Sequence, residues 1–270
     1  MKARSEIANE RCGPLNSDEP RSERRFETPL FEVVAEIHLD PSDLVELPAR
    51  SYYSSLDGKY PQVQRMPLVL VSDPAHATNP FAPAYRFFNE DQTLIVQIGP
   101  RLIALNAVMA KIRWPGWAYF RDRFPEVFHP YVALNQDAPV LRFSLSFYNR
   151  IALDDLGELT EIFAMNEVPS PANALDLDYS YKFSTPSEVG TITRHYLIMP
   201  PDAAAPCPYL AVNTIARHEL HSMRLEDAFK QWQDWVETAH RICSDTFYNS
   251  LSKRSRVSWD ENSSRNRQEL

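Results

Sequence analysis

The stretch VLRFSLSFYNRI, residues 140–151, alternates large apolar and polar side chains along its whole length. The apolar row is Leu141, Phe143, Leu145, Phe147 and Ile151, and the polar row is Arg142, Ser144, Ser146, Tyr148 and Arg150. Successive side chains of a β-strand point to opposite faces of the sheet. The stretch therefore predicts a strand with one buried face and one polar face.

A second amphipathic strand lies near the start of the chain, in PLFEVVAEIHLD, residues 29–40. Residues 42–60 then predict a short helix, and three strands follow at 85–89, 92–98 and 101–108. Gly99-Pro100 suits a type II′ hairpin turn, which would place Ile98 opposite Arg101. Large apolar residues at helical spacing predict a helix over 116–135 that is interrupted at Pro125.

The second half of the chain repeats this order of elements. The predicted elements are a helix at 156–165, strands at 174–184, 190–199 and 208–220, and an amphipathic helix at 225–251. Both halves therefore follow the order β-α-β-β-β-α. This predicts an α+β fold, with antiparallel sheet and helices packed on one side, and suggests a duplicated unit made of 28–135 and 138–252.

Bulk properties favour one domain over residues 28–252, between a polar disordered arm at 1–27 and a polar tail at 253–270. The net charge of −8 argues against strong nonspecific binding of nucleic acid, which needs Lys and Arg on phosphates. No apolar stretch has the length of a signal-peptide core or of a membrane span. The three cysteines form no CxxC pair, so we expect a cytoplasmic protein.

The segment TIARHELHSM, residues 214–223, contains two histidines around a glutamate. Zinc proteases of the HExxH type place their histidines four apart on a helix, so that both side chains face one ion. Here the spacing is three, and the preceding residues alternate as a strand does. His218 and His221 would then point to opposite faces, and Ser222 or a neighbour would cap the following helix. We predict no metal here.

Other motifs leave several possibilities open. The six glycines form no phosphate-binding motif. Asp176 and Asp178 suit either a Mg²⁺ site or the solvent side of a strand. The basic residues between 101 and 123, with tryptophans nearby, suit an anionic ligand, a stacked base or a solvated face. The polar row around Arg150 suits solvent exposure, a subunit contact or a ligand groove. The candidate binding residues are Arg101, Lys111, Arg113, Arg142, Tyr148, Asn149 and Arg150.

Five stretches occur in the same order as in a sporadically distributed bacterial family of uncharacterised proteins of about this length. They are ETPLFEVVAEIHL, TLIVQIGPRLIALN, WPGW, RFSLSFYNRI and DWVETAHRICSDTF, and together they span residues 27–252. The resemblance implies that Asn106, Gly116, Asn149, Arg150 and His240 sit where the family keeps polar or special residues. It brings no activity and no cofactor. The patchy occurrence of the family resembles that of defence-related genes.

We therefore expect a noncatalytic cytoplasmic binding protein, an accessory or regulatory subunit of a bacterial defence or toxin-control module. Its partner would be another protein or a second copy of the chain. No catalytic residue, metal or cofactor is expected. The alternative is an enzyme or sensor for a nucleotide or another phosphorylated small molecule. It would use Arg101, Lys111, Arg113 or Arg150 on phosphate, and Asp176 with Asp178 for a metal.

Overall fold

The computed structural model describes residues 30–40, 49–66, 82–109, 115–153, 162–164, 180–199, 209–253 and 255–256. The predicted arm at 1–27, most of the predicted tail and most of the helix expected at 156–165 lie outside these residues. So do Lys111, Arg113, Asp176 and Asp178.

The described residues form nine strands and four helices. The strands are β1 (Leu30–Leu39), β2 (Gln62–Arg65), β3 (Tyr85–Phe88), β4 (Leu94–Gly99), β5 (Leu102–Val108), β6 (Pro139–Ala152), β7 (Ser180–Ser187), β8 (Gly190–Met199) and β9 (Tyr209–Arg224). The helices are α1 (Ala49–Ser55), α2 (Trp117–Arg121), α3 (Phe124–Leu134) and α4 (Leu225–Ser250).

All nine strands belong to one antiparallel sheet, in the order β2-β3-β4-β5-β1-β6-β9-β8-β7. The predicted α+β class is confirmed. The two amphipathic strands on which the fold prediction rested, β1 and β6, pair at the centre of the sheet. Each also pairs with the last strand of its own half, β5 or β9. The duplicated unit stays a hypothesis, which superposition of 28–135 on 138–252 would test.

The helices cover one face of this sheet. Val33, Ala35 and Ile37 of β1 are fully buried there, and so are Phe143 and Leu145 of β6. They belong to one core with the apolar residues of α1, α2, α3 and α4. A smaller core lies under the C-terminal end of α4, around Ile151, Leu210 and Phe247. Among the described residues, no helix packs against the other face.

Aromatic rings hold α3 and α4 together over the sheet. Trp232 of α4 is fully buried, with its ring centroid 4.7 Å from that of Phe124 and 4.6 Å from that of Phe128. Trp235 lies one turn further on, 5.5 Å from Phe143 of β6. Its indole N–H donates to the carbonyl oxygen of Val189, 3.0 Å away in the β7–β8 turn. The predicted apolar stripe of the long helix is therefore the part that covers the sheet.

The turn after β4 differs from the prediction. Gly99 pairs with Leu102, and Ile98 pairs with Ile103, so Pro100 and Arg101 form the turn. The prediction that Ile98 faces Arg101 is wrong. Gly99 is required for a different reason: a Cβ at this position would collide with the carbonyl oxygen of Ala82. Glycine is needed here because a neighbouring backbone approaches closely, and not because the residue has a positive φ.

The other elements differ from the predictions mainly at their ends. The helix expected at 116–135 is divided into α2 and α3, and Pro125 occupies the first turn of the second helix, where its missing N–H costs nothing. β8 matches its predicted bounds, and β9 continues to Arg224. Ser222 does not cap α4. It has a φ of 57°, and its hydroxyl donates to the Asp40 carboxylate at 2.8 Å.

Candidate functional site: the polar face of the sheet

The face of the sheet away from the helices carries most of the polar side chains of the central strands. We call it the polar face. The strand register assigns its members: directly paired residues lie on the same side. The residues that carry charge or strong hydrogen-bonding groups are Glu32, Glu36 and His38 of β1, Arg86 of β3, Gln97 of β4, Asn106 of β5, Arg142, Ser144, Ser146, Tyr148 and Arg150 of β6, Lys182 of β7, His195 of β8, and Asn213, Arg217 and Glu219 of β9.

One row of hydrogen bonds crosses four strands of the polar face. The Arg86 Nε donates to the Gln97 side-chain oxygen at 3.1 Å, and Gln97 donates to the Asn106 oxygen at 2.7 Å. Asn106 then donates to a carboxylate oxygen of Glu32 at 2.6 Å. Asn106 is only 5% exposed, so its amide depends on these partners. The row fixes the position of Glu32 on the central strand.

Burial raises the pKa of Glu32, although the hydrogen bond from Asn106 and the charges of Arg86 and Arg150 act against that rise. Glu36, four residues along β1, shows the opposite shift. Burial alone would raise its pKa, but the His38 contact, a hydrogen bond from Ser144 and the Arg142 charge outweigh burial and lower it. The environments of the two carboxyl groups therefore shift their pKa values in opposite directions.

Neither arrangement forms a familiar catalytic constellation. On one strand, residues four apart are separated by roughly 13 Å, too far for the two carboxyl groups to act on one bond. His38 Nε2 lies 3.3 Å from a Glu36 carboxylate oxygen, and Ser144 also bonds to Glu36. The serine and the histidine thus share a carboxylate. A hydrolytic triad instead needs the histidine between the serine and the acid.

Cys243, the one cysteine in the described part of the chain, is not a candidate nucleophile. It is buried in α4, and burial raises the pKa of its thiol to about 12. A thiol that stays protonated at neutral pH is a poor nucleophile.

Two arginines of the polar face lie close together on neighbouring strands. Burial lowers the pKa of Arg142, the nearby charge of Arg217 lowers it further, and Glu219 and Glu36 oppose these effects. The Nε of Arg217 is buried and has no hydrogen-bond partner among the described residues. Beside them, Ser144 and Ser146 are each 2% exposed. This part of the face therefore concentrates hydrogen-bond donors, and one of them, the Arg217 Nε, lacks an acceptor within the described residues.

Arg150 occupies the far end of β6, where aromatic rings flank it. Its guanidinium carbon lies 3.5 Å from the ring centroid of Phe31 and 4.9 Å from that of Tyr209. These residues belong to β1 and β9, the two strands on either side of β6. Tyr148, two residues away, has its pKa raised by burial, so its hydroxyl stays protonated.

The predicted binding residues divide among several places. Arg142, Tyr148 and Arg150 share the polar face, as their alternation predicted. Asn149 lies on the helix-covered face, is 4% exposed and donates to the Val212 carbonyl oxygen at 3.3 Å, which gives it a structural role. Arg101 lies in the β4–β5 turn, where its carbonyl oxygen accepts from the Leu39 N–H at 2.9 Å. Lys111 and Arg113 lie outside the described residues.

The two histidines of the HELH segment lie on β9, so the predicted extended conformation is confirmed. His218 is half-buried beside Phe143 and Trp235, and His221 is exposed. Over the described ranges there is no group of three or more His, Cys, Asp or Glu side chains placed to hold a metal ion.

His240 is half-buried on α4. Its ring stacks on that of Trp117 with centroids 4.1 Å apart and planes 4° apart. The indole N–H of Trp117 donates to Glu237, 2.9 Å away on the same helix as His240. Two of the stretches that suggested a family, WPGW and DWVETAHRICSDTF, therefore meet in one packing contact between α2 and α4.

Comparison with known proteins found no family model and no curated protein that matches the chain. The resemblance to a bacterial family accordingly stays a prediction. In the described part of the chain, no helix combines the length and the apolar character needed to cross a membrane.

Proposed function

We propose that this protein is a noncatalytic binding protein and that the polar face of its sheet is the surface that contacts a partner protein. The observation that carries the proposal is a difference between the two faces. The helices α1 to α4 all pack on one face, while the centre of the other holds arginines and carboxylates on adjacent strands. Fold stability alone does not explain so many charged groups there, because burying a charge costs free energy.

The charge of the polar face indicates what kind of partner would fit it. Its register positions carry five basic residues, Arg86, Arg142, Arg150, Lys182 and Arg217, against the three acidic residues Glu32, Glu36 and Glu219. The face thus has a surplus of two positive charges on a chain whose net charge is −8. Complementary potentials favour association and suppress wrong partners, so the contact region of the partner would be acidic.

A binding role is favoured over catalysis by the arrangement of the central groups. In the Glu36 cluster the glutamate lies between the serine and the histidine, so the Ser144 hydroxyl has no histidine beside it to act as the general base of a triad. Accessory function in a bacterial defence or toxin-control module, in the cytoplasm, rests on the family resemblance alone and forms part of the proposal.

Site-specific photo-crosslinking in the native host tests this function. A benzophenone amino acid in place of Thr191 or of Glu219 reports on the polar face. Both residues are exposed, and they pair with Arg217 and Arg142 on that face. The same residue in place of Tyr53, which is 36% exposed on the helix side, is the matched control. We expect one protein band from the two polar-face positions and none from the control. A band from the control position only, or from neither face, would reject the proposal.

A second candidate function is recognition of a nucleotide or another phosphorylated small molecule, by an enzyme or a sensor. It is favoured by the buried Nε of Arg217, which has no acceptor within the described residues. A thermal-shift series with nucleotides and Mg²⁺ separates the two functions, because a ligand that binds only the folded state raises the melting temperature. A protein-binding surface predicts no shift, and a nucleotide site predicts one that saturates.

A further inference from the structure

We propose that Arg150, held between Phe31 and Tyr209, is an anchor for a phosphate or carboxylate group, so that the ligand of the polar face docks through an oxyanion. The inference rests on the proposed function and deepens it, because it names the chemical group that the polar face recognises. It is carried by the geometry around one guanidinium.

The rings hold the guanidinium without using its hydrogen-bonding capacity. Cation–π contacts act on the face of the guanidinium plane, whereas its five N–H groups point outward within the plane. Within the described parts of the chain, the Arg150 side chain has these two ring contacts and no hydrogen bond or ion pair. The side chain is only half-buried, so those N–H groups can be reached from outside. A guanidinium in this state is already oriented for a bidentate contact.

Glu32, the carboxylate whose charge interacts with that of Arg150, already has a hydrogen-bond donor. Glu32 is close enough for its charge to interact with that of Arg150, yet its carboxylate accepts the 2.6 Å hydrogen bond from Asn106. The row from Arg86 through Gln97 and Asn106 therefore directs one oxygen of Glu32 toward β5. Glu32 is thus hydrogen-bonded to β5, which lies on the opposite side of β1 from Arg150 and β6.

The surroundings supply neutral groups that suit an oxyanion. Tyr148 lies two residues from Arg150 on the same face of β6, and Asn213 lies directly opposite Tyr148 on β9. A protonated phenol and an amide both donate hydrogen bonds without adding charge. Phosphate and carboxylate share the chemistry that this site would read, namely two oxygen atoms in the plane of the guanidinium.

Selective ¹⁵N labelling of arginine in the full chain makes the site observable, because each Nε–H gives a separate resonance. The signal of Arg150 is assigned as the one that disappears in Arg150→Lys, which keeps the charge and loses the planar fork. Pyrophosphate and citrate are the two probes, titrated against sodium chloride at matched ionic strength. Arg65→Lys, at an exposed arginine of edge strand β2, is the matched control.

We expect the Arg150 resonance to move and saturate with at least one probe. Arg150→Lys should weaken binding of that probe by about tenfold or more, as judged by the remaining arginine and backbone signals, while Arg65→Lys binds as the wild type does. Pyrophosphate alone would identify phosphate, and citrate alone carboxylate. The proposal is overturned if neither probe moves the resonance, or if Arg150→Lys binds unchanged. Circular dichroism verifies that each variant is folded. The crosslinking from Thr191 and Glu219 tests the proposed function separately, because its result does not depend on whether either probe binds at Arg150.

Discussion

The two faces of the sheet are built from the same strands but are stabilised in different ways. On the helix-covered face, Ile37 and Phe143 are directly paired and fully buried in the core beneath the helices. On the polar face, the neighbours of these residues along the strands are Glu36, His38, Arg142 and Ser144. Their side chains make hydrogen bonds and charge contacts across strands. One face gains its stability mainly from apolar area, and the other from the partners of each polar atom.

This difference separates two kinds of sensitivity to mutation. Removing atoms from the helix-covered face leaves a cavity, and the cost grows with its volume. Removing one member of a polar row leaves its neighbour buried without a partner, and the cost depends on that neighbour. Substitutions on the two faces should therefore differ in the size of their effects, and those that remove a carboxyl group from the polar face should also change how stability depends on pH.

The largest effect is expected for Trp232→Ala on the helix-covered face. The ring is fully buried and contacts Phe124, Phe128 and Phe229, so its loss should lower the free energy of unfolding by about 3–5 kcal/mol. Urea denaturation measures the change. Trp232→Phe retains a ring and removes an indole N–H that has no partner among the described residues, so it should cost clearly less. Equal losses for the two variants would show that aromatic packing does not hold α4 to the sheet.

Asn106→Ala is expected to have the largest effect among changes on the polar face. Both neighbours of Asn106 in the hydrogen-bonded row, Gln97 and Glu32, would lose a partner, which should cost about 1–3 kcal/mol. The same denaturation experiment on Gln62→Ala, an exposed residue of β2, gives the baseline, with an expected change within about 0.5 kcal/mol. If Asn106→Ala behaves like Gln62→Ala, the row does not stabilise the fold.

The two glutamates of β1 should have opposite effects on the pH dependence of stability. The folded-state pKa of Glu32 lies above its ordinary 4.5, so the folded protein retains a proton that the unfolded chain releases, and stability falls as the pH rises through that window. The folded-state pKa of Glu36 lies below 4.5, so its contribution is present above 4.5 and is lost as the pH falls through the folded value.

Relative to wild type, Glu32→Gln should therefore increase the stability gained between pH 3.5 and pH 7, and Glu36→Gln should decrease it. Unfolding in urea at both pH values measures the difference. Glu90→Gln, at an exposed carboxyl of the β3–β4 turn, controls for the loss of one negative charge. Changes of the same sign in the two β1 variants would contradict the assigned environments.

The sequence was sufficient to predict which residues share a face but not which strands are neighbours. Alternation in VLRFSLSFYNRI placed Arg142, Tyr148 and Arg150 together, because the period of a strand is a local property. The proximity of Arg217, Glu36 and Glu32 to that row depends on β6 lying between β1 and β9, which no local pattern encodes. Asn149, which the resemblance grouped with Arg150, lies on the opposite face because adjacent residues of a strand alternate between the two faces. The turn at Gly99 was misplaced because the contact with Ala82 is long-range.

The smallest effect, and the finest comparison of the two faces, comes from two half-buried histidines. Burial lowers the pKa of His240 on the helix side, against the pull of Glu237 and Asp245, and burial with the Lys182 charge lowers that of His195 on the polar face. Both folded-state pKa values lie below 6.5. As the pH drops from 6.5 to the folded-state pKa, the unfolded chain binds a proton that the folded protein does not, so each histidine makes stability fall over that range.

His240→Phe, which keeps a ring against Trp117, and His195→Phe should each reduce the loss of stability measured between pH 7.5 and pH 5. High salt screens Lys182 and should shrink the His195 contribution. The His240 contribution, which arises from burial opposed by Glu237 and Asp245, should not shrink. If salt reduces both contributions equally, the surroundings of the two histidines do not differ as the two faces of the sheet do.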